Sequence, residues 1–185
     1  RLIRKFELDK DSDPQTYGIG MKELWRVQPG KSKPGLVQHT TGWPLDSHTY
    51  GGSFIYHLDK DRIAIGFVCG LDYQDPEFEP FEDFQQMKHH PMVHELLEGG
   101  EILSSGARAI AEGGYQSLPN TEMPGALMIG DSAGTLNVPK IKGTHQAMRC
   151  GILAADHLAE NASPAGFNAR LRDSEVVREL YKVRN

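Results

Sequence analysis

His48–Leu71 reads HTYGGSFIYHLDKDRIAIGFVCGL, and this stretch decides the fold. From His48 to Leu58 aromatic and aliphatic residues alternate with small or polar ones, the period of a half-buried strand. The charged DKDR that follows is a turn, and IAIGFVCG after it is a buried strand. Two such strands across a short polar turn make an antiparallel hairpin. Glycine inside a strand costs roughly 0.5–1 kcal/mol relative to alanine, so Gly51 and Gly52 need a reason. One reading is a bulge or a close backbone approach. The other is a floor for a flat ligand, with a glycine N–H as donor and Tyr50 and Phe54 as apolar walls.

Working outward, TYGIGMKELWRV (Thr16–Val27) is a further strand, followed by the exposed loop PGKSKPG. PFEDFQQMKHH carries Phe81, Phe84 and Met87 at a spacing of three, an apolar helical stripe. Pro91 starts a second short helix, which Gly99 and Gly100 end. His89 and His90 lie between the two, where a capping role suits them. EILSSGARAI is a strand, and ALMIG (Ala126–Gly130) another. A helix runs from Thr144 to Glu160. The tail NARLRDSEVVRELYKVRN is helical, with Leu171, Val176, Val177, Leu180 and Tyr181 on one face. The fold class is therefore α+β, with a mixed, largely antiparallel sheet.

Composition narrows the function. The 185 residues suffice for one core, and 38% hydrophobic with 24% charged content excludes wholesale disorder. A net charge of -5 argues against a nucleic-acid binder. Cys69 and Cys150 are the only cysteines and form no CxxC, so the sequence holds neither a cysteine-bound metal centre nor a disulfide framework. The longest apolar run, Ile63–Leu71, is far short of the ~20 residues of a spanning helix. The opening RLIRKFELDK has no apolar signal core and no Met, and reads as the start of a piece cut from a longer protein.

ALMIGDSAGTLNVPKIKGTHQAM offers the second constellation. A strand ending in Gly130 brings backbone close to a ligand, and Asp131 presents two acceptor oxygens to hydroxyls. An Asx-turn is the simpler reading of an isolated Gly-Asp. Gly143-Thr144 opens a helix whose free N–H groups favour negative charge, as on the N1–C2=O edge of a reduced flavin; a plain helix N-cap is the alternative. His145 lies in that first turn, where a neutral imidazole meeting a ligand is conceivable. Lys140 and Lys142 flank the loop as solvated charges. No GxGxxG turn is present to cradle a pyrophosphate.

PQTYGIGMKELW, GWPLDSHTYGGSFIYHL, GLDYQDPEFEPFEDFQQMKHHP, GARAIAEGGYQSLP and NVPKIKGTHQAM, in this order, resemble the central part of the electron-transfer flavoprotein–ubiquinone oxidoreductases. The resemblance covers nearly all of Asp13 to Glu160. It implies a monotopic membrane flavoenzyme that takes electrons from reduced electron-transfer flavoprotein and passes them to ubiquinone, using FAD and an iron–sulfur cluster. It implies that residues 1–125 are mostly a quinone-binding domain. Residues 126–160 would then be the returning strand and helix of a Rossmann-like, glutathione-reductase-type FAD domain, and 161–185 a helical lead toward an iron–sulfur domain. Gly51 and Gly52, with Tyr50 and Phe54, then match the quinone site. Gly130, Asp131, Gly143 and Thr144 match FAD contacts. No catalytic residue is assigned.

The resemblance places such a protein on the inner face of a bacterial cytoplasmic membrane or the matrix face of the mitochondrial inner membrane. Because the glycine-rich turn and the cysteine cluster are not in this chain, it is expected to retain neither cofactor and to be inactive alone. Two other functions compete. Related quinone or isoprenoid reductases share the Gly-Asp and helix elements but should lack YGGSFIYHL and KIKGTHQAM. A naturally short, non-enzymatic binding module is the third.

Overall fold

A computed structural model describes residues 1–184. The chain divides into two compact units, Gly18–Ile110 and, separately, Arg1–Tyr17 with the chain from Ala111 onward.

The Gly18–Ile110 unit is built on a five-stranded sheet. Its strands are β1 (Tyr17–Arg26), β2 (Val37–Thr40), β3 (Gly51–His57), β4 (Arg62–Gly70) and β5 (Glu101–Ala111), in the spatial order β2-β3-β4-β1-β5. β3 and β4 form the expected hairpin, with Ile55 opposite Ile65 and Phe54 opposite Gly66. β1 pairs antiparallel to β4, Met21 facing Phe67 and Glu23 facing Ile65. The short β2, which alternation alone does not reveal, pairs with β3.

Alternation divides this sheet into two faces. One carries Met21, Ser53, Ile55, Ile63, Ile65, Phe67 and Cys69, all buried. Helices α2 (Pro80–Lys88) and α3 (Pro91–Leu97) cover it with Phe84, Met87, Val93 and Leu97. Each large side chain buried here contributes about 1.5–3 kcal/mol, which makes this face the main core of the unit. Phe81 is the exception to the expected stripe, being 54% exposed. Three residues fall about 60° short of a full turn, so Phe81 drifts off the stripe that Phe84 and Met87 define. His90 caps the start of α3, its Nδ1 accepting from the Met92 N–H at 3.3 Å, while His89 ends α2.

A charge is buried in this core. Glu23, 5% exposed, receives the Lys88 ammonium at 3.0 and 3.1 Å and the Trp25 indole N–H at 2.7 Å. Such a carboxylate survives burial because every donor it needs is supplied.

The second unit has little sheet. β6 (Glu122–Met123) and β7 (Ala126–Leu127) form a two-residue ladder, and α1 (Leu2–Lys5) packs Ile3 beside Leu8, Met123, Met128 and Ala133. The strand expected over Ala126–Gly130 is thus cut to its first two residues. The Met128 N–H goes to the Thr121 carbonyl, and Gly130, at φ +63°, turns the backbone into a 3-10 turn over Gly130–Ala133. Helices α4 (Thr144–Asn161), α5 (Phe167–Arg172) and α6 (Glu175–Lys182) supply the rest. Gln146, Cys150, Ala154 and His157 form the buried stripe of α4, packed near Phe167, Leu171, Val176, Val177 and Leu180. The tail is helical as expected but breaks at Asp173–Ser174. Tyr181 leaves the buried face, 47% exposed with its ring edge against Tyr115.

Candidate functional site

The paired glycines stand where strands crowd. A Cβ on Gly52 would overlap the Thr40 carbonyl oxygen, and one on Gly51 would overlap the Val68 carbonyl oxygen and the Leu45 side chain. Close backbone approach therefore requires glycine at both positions, whatever else they do. The loop before them is shaped by Asp46, whose carboxylate accepts the N–H groups of His48 at 2.9 Å and Thr49 at 2.7 Å. These bonds, Thr49's foremost, hold the Asp46 carboxyl below its usual range. The Gly70 N–H donates to the Tyr50 carbonyl at 2.9 Å, tying the start of β3 to the end of β4.

Register places these residues on the face of the sheet opposite α2 and α3. Gly52, Phe54, Gly66, Val68 and Gly70 share it with Gly18 and Gly20 of β1. Five positions on one face of three adjacent strands thus lack side chains. Phe54 lies across Gly66, where a Cβ would overlap its ring, and meets Tyr56 with ring centroids 4.8 Å apart and the planes tilted by 35°. Tyr50, 55% exposed, borders Gly70. The result is a glycine-lined strip with aromatic edges, interrupted by Val68, which stands opposite both Gly52 and Gly20. Gly51 belongs to the other parity, facing the core side with Ser53. Gly18, Gly20 and Gly70 escaped the sequence reading. Their signal was available: every glycine of YGIG and of IGFVCG sits at the same strand parity as Gly52.

The other constellation lies wholly in the second unit. The 3-10 turn packs on the start of α4, so Gly130, Asp131, Gly143 and Thr144 come together. A Cβ on Gly130 would stand 3.2 Å from that of Ala147, and one on Gly143 would stand 2.8 Å from an Asp131 carboxylate oxygen. Asp131 and Thr144 are exposed. Among the described residues none donates to the Asp131 carboxylate, so the Asx-turn reading does not hold. α4 begins at Gly143 without a side-chain cap. An uncapped first turn beside an acceptor carboxylate fits the hydroxyl chain and anionic ring edge of a flavin.

The loop between these pieces is held from α6. Glu179 accepts from Asn137 Nδ2 at 2.7 Å, Lys140 Nζ at 2.8 Å, His145 Nε2 at 3.0 Å and Arg149 Nη1 at 3.2 Å. These donors, Lys140 first and then His145 and Asn137, outweigh desolvation and lower its carboxyl from 4.5 to about 2. His145, expected toward a ligand, points instead to Glu179. Lys140, expected to be simply solvated, is its partner. Glu179 was invisible in sequence because its donors lie 30 to 42 residues away.

Among the described residues no three His, Cys, Asp or Glu side chains are grouped to hold a metal ion, and no helix is long and apolar enough to cross a membrane. Cys69 and Cys150 are both buried.

This chain resembles known proteins in both sequence and fold. The mitochondrial electron transfer flavoprotein-ubiquinone oxidoreductases of Sus scrofa and Arabidopsis thaliana are each 50% identical to it over its entire length. The chain spans about a third of those relatives, 32% and 30% respectively. Among solved structures, a geranylgeranyl bacteriochlorophyll reductase-like protein of Thermoplasma acidophilum aligns with 91% of this chain and 38% of its own, at a TM-score of 0.62 and 13% identity. A flavin-dependent brominase aligns with 92% of this chain and 45% of its own, at 0.56 and 17%. At such identities these two show a shared fold. The sequence model described as "ETF-QO, ubiquinone-binding" matches residues 17–110, almost the same residues as the sheet unit, and the chain belongs to that family.

Proposed function

We propose that this chain is the central part of a longer, membrane-associated flavoprotein that accepts electrons from reduced electron-transfer flavoprotein and reduces ubiquinone to ubiquinol. The observation that carries the reading is the coincidence of the ubiquinone-binding match with the one unit that presents a glycine strip. In this reading the strip over Gly18, Gly20, Gly52 and Gly70 receives a flat quinone head group, and Tyr50 and Phe54 border it. The Gly51–Gly52 backbone is the polar contact. A planar ring lying there meets bare backbone at these glycines and the Val68 side chain between Gly52 and Gly20.

FAD is the cofactor, held in part by Asp131 at the ribityl hydroxyls and by the Gly143–Thr144 helix start at the ring edge. Flavin bound there supplies acceptance of electron pairs and their release one at a time. Gly130 lets the turn approach the ligand, Asp131 accepts from its hydroxyls, and the α4 N-terminus favours charge arriving at the ring. An iron–sulfur cluster belongs to the whole protein, beyond the helical segment 161–185. Mitochondrial relatives favour the matrix face of the inner membrane as the location. A pyrophosphate cradle is not among these residues, so the 185-residue chain alone stays colourless after incubation with excess FAD and gel filtration.

The test is quinone binding by the full-length protein. At Gly20 a Cβ meets Ile110 at 3.4 Å, Val68 at 3.6 Å and the Arg108 carbonyl oxygen at 3.9 Å, ordinary contacts, so Gly20→Ala raises a methyl on the strip without disturbing the sheet. A short-chain ubiquinone should bind the native protein and bind Gly20→Ala about tenfold more weakly, since one intruding methyl costs about 1–3 kcal/mol at a fitted surface. Unchanged affinity overturns the strip as the quinone site.

A further inference from the structure

We propose that Glu179 is a positioning residue, which clamps the loop Asn137–Lys142 and the first turn of α4 into the shape in which Gly143 and Thr144 meet a flavin. The inference rests on the flavin reading given above. Four donors from one loop and one helix converge on this single carboxylate, whose side chain is only 17% exposed. Isolated surface pairs of this kind do little, but a mostly enclosed carboxylate that accepts three donors on Oε1 and one on Oε2 holds its partners together.

The geometry continues from Glu179 to the site without a gap. Asn137 is fully buried, and while its Nδ2 goes to Glu179 its Oδ1 accepts the Lys140 N–H at 3.2 Å. Its backbone exchanges two hydrogen bonds with Lys142, 3.1 and 3.2 Å, closing the loop immediately before Gly143. Inside this ring Ile141 sits at φ +55°, a left-handed conformation that a β-branched residue adopts only under constraint. His145 and Arg149 extend the grip one and two turns into α4. The Asp131 carboxylate, packed against Gly143, then finds its distance to the helix start set from α6.

The sign of the effect separates positioning from simple charge. Glu179 is negative, so Glu179→Gln makes its surroundings more positive; through charge alone it would tighten an anionic cofactor. Through positioning it loosens it. The test titrates FAD into the full-length apoprotein and follows amide exchange over residues 138–146. Glu179→Gln should weaken FAD about tenfold and speed exchange in that segment about tenfold, the scale of one lost charge-assisted hydrogen bond. Lys140→Ala, at an exposed site that does not threaten folding, should move both readouts the same way by about threefold. Glu175→Gln, exposed on the same helix, should move neither.

Unchanged exchange overturns the clamp. Faster exchange with unchanged or tighter FAD overturns its action on the cofactor. A native full-length protein that binds no flavin overturns the flavin reading and the positioning role with it. The exchange arm, read without flavin, tells that failure from a missing clamp.

Discussion

The two units are stabilised by different means. In Gly18–Ile110 one sheet face is apolar from Met21 to Cys69 and two helices cover it, so strand alternation sets both the core and the opposite, glycine-bearing face. The other unit has a two-residue ladder and two small apolar clusters, and it holds the Asn137–Lys142 loop through Glu179. Hydrophobic burial is non-directional and reads out as periodicity, whereas a hub of hydrogen bonds needs particular atoms at particular distances. A site on the first kind of scaffold rests mainly on packing, and in the reading proposed above a site on the second rests on one carboxylate.

The largest expected effect breaks the first unit at its core. Phe67→Ala should cost about 3–5 kcal/mol, read from the urea midpoint, because a fully packed ring leaves a cavity. Lys88→Ala should follow at about 3 kcal/mol, since Glu23 is then left charged and unpaired among apolar side chains. Replacing Glu23 and Lys88 together by leucine and methionine should recover most of that loss, which would show the pair to be replaceable by packing.

Acid titration sharpens the contrast. Burial first, and the Lys33 charge second, push His57 below its ordinary 6.5. A depressed histidine binds its proton later in the folded state than in the unfolded one. Its contribution is complete above pH 6.5 and is lost as pH falls toward the lower, folded value. Glu179 moves from 4.5 to about 2, so its contribution is complete above pH 4.5 and is lost as pH falls toward 2. Exchange in the sheet unit should therefore respond to acid before exchange around the α4 loop. His57→Phe should flatten the first response and Glu179→Gln the second.

Gly20→Ala is expected to be the smallest perturbation of stability, within about 0.5 kcal/mol, because the added methyl makes only ordinary contacts and alanine suits a strand no worse than glycine. Gly52→Ala, by contrast, should fail to hold the β2–β3 pairing, since its methyl meets a carbonyl oxygen.

Sequence by itself determined the β3–β4 hairpin, the strands β1 and β5, and the helices α2 to α4. Each of these is written in a local period, a turn or a helix start, where neighbours in sequence are neighbours in space. Only the tertiary structure decided the rest. The ALMIG strand yielded to the turn at Gly130. Phe81 and Tyr181 fell outside the buried faces because short helices let a three- or four-residue spacing drift. Glu23 became a buried charge because Lys88, 65 residues away, arrives with α2. Gly18 and Gly20 joined Gly52 only through the pairing of β1 with β4. Glu179 reached the Asn137–Lys142 loop only when α6 folded back onto α4. Periodicity records which side of an element is buried; it holds no record of which distant atom will be opposite, because that is set by packing in three dimensions.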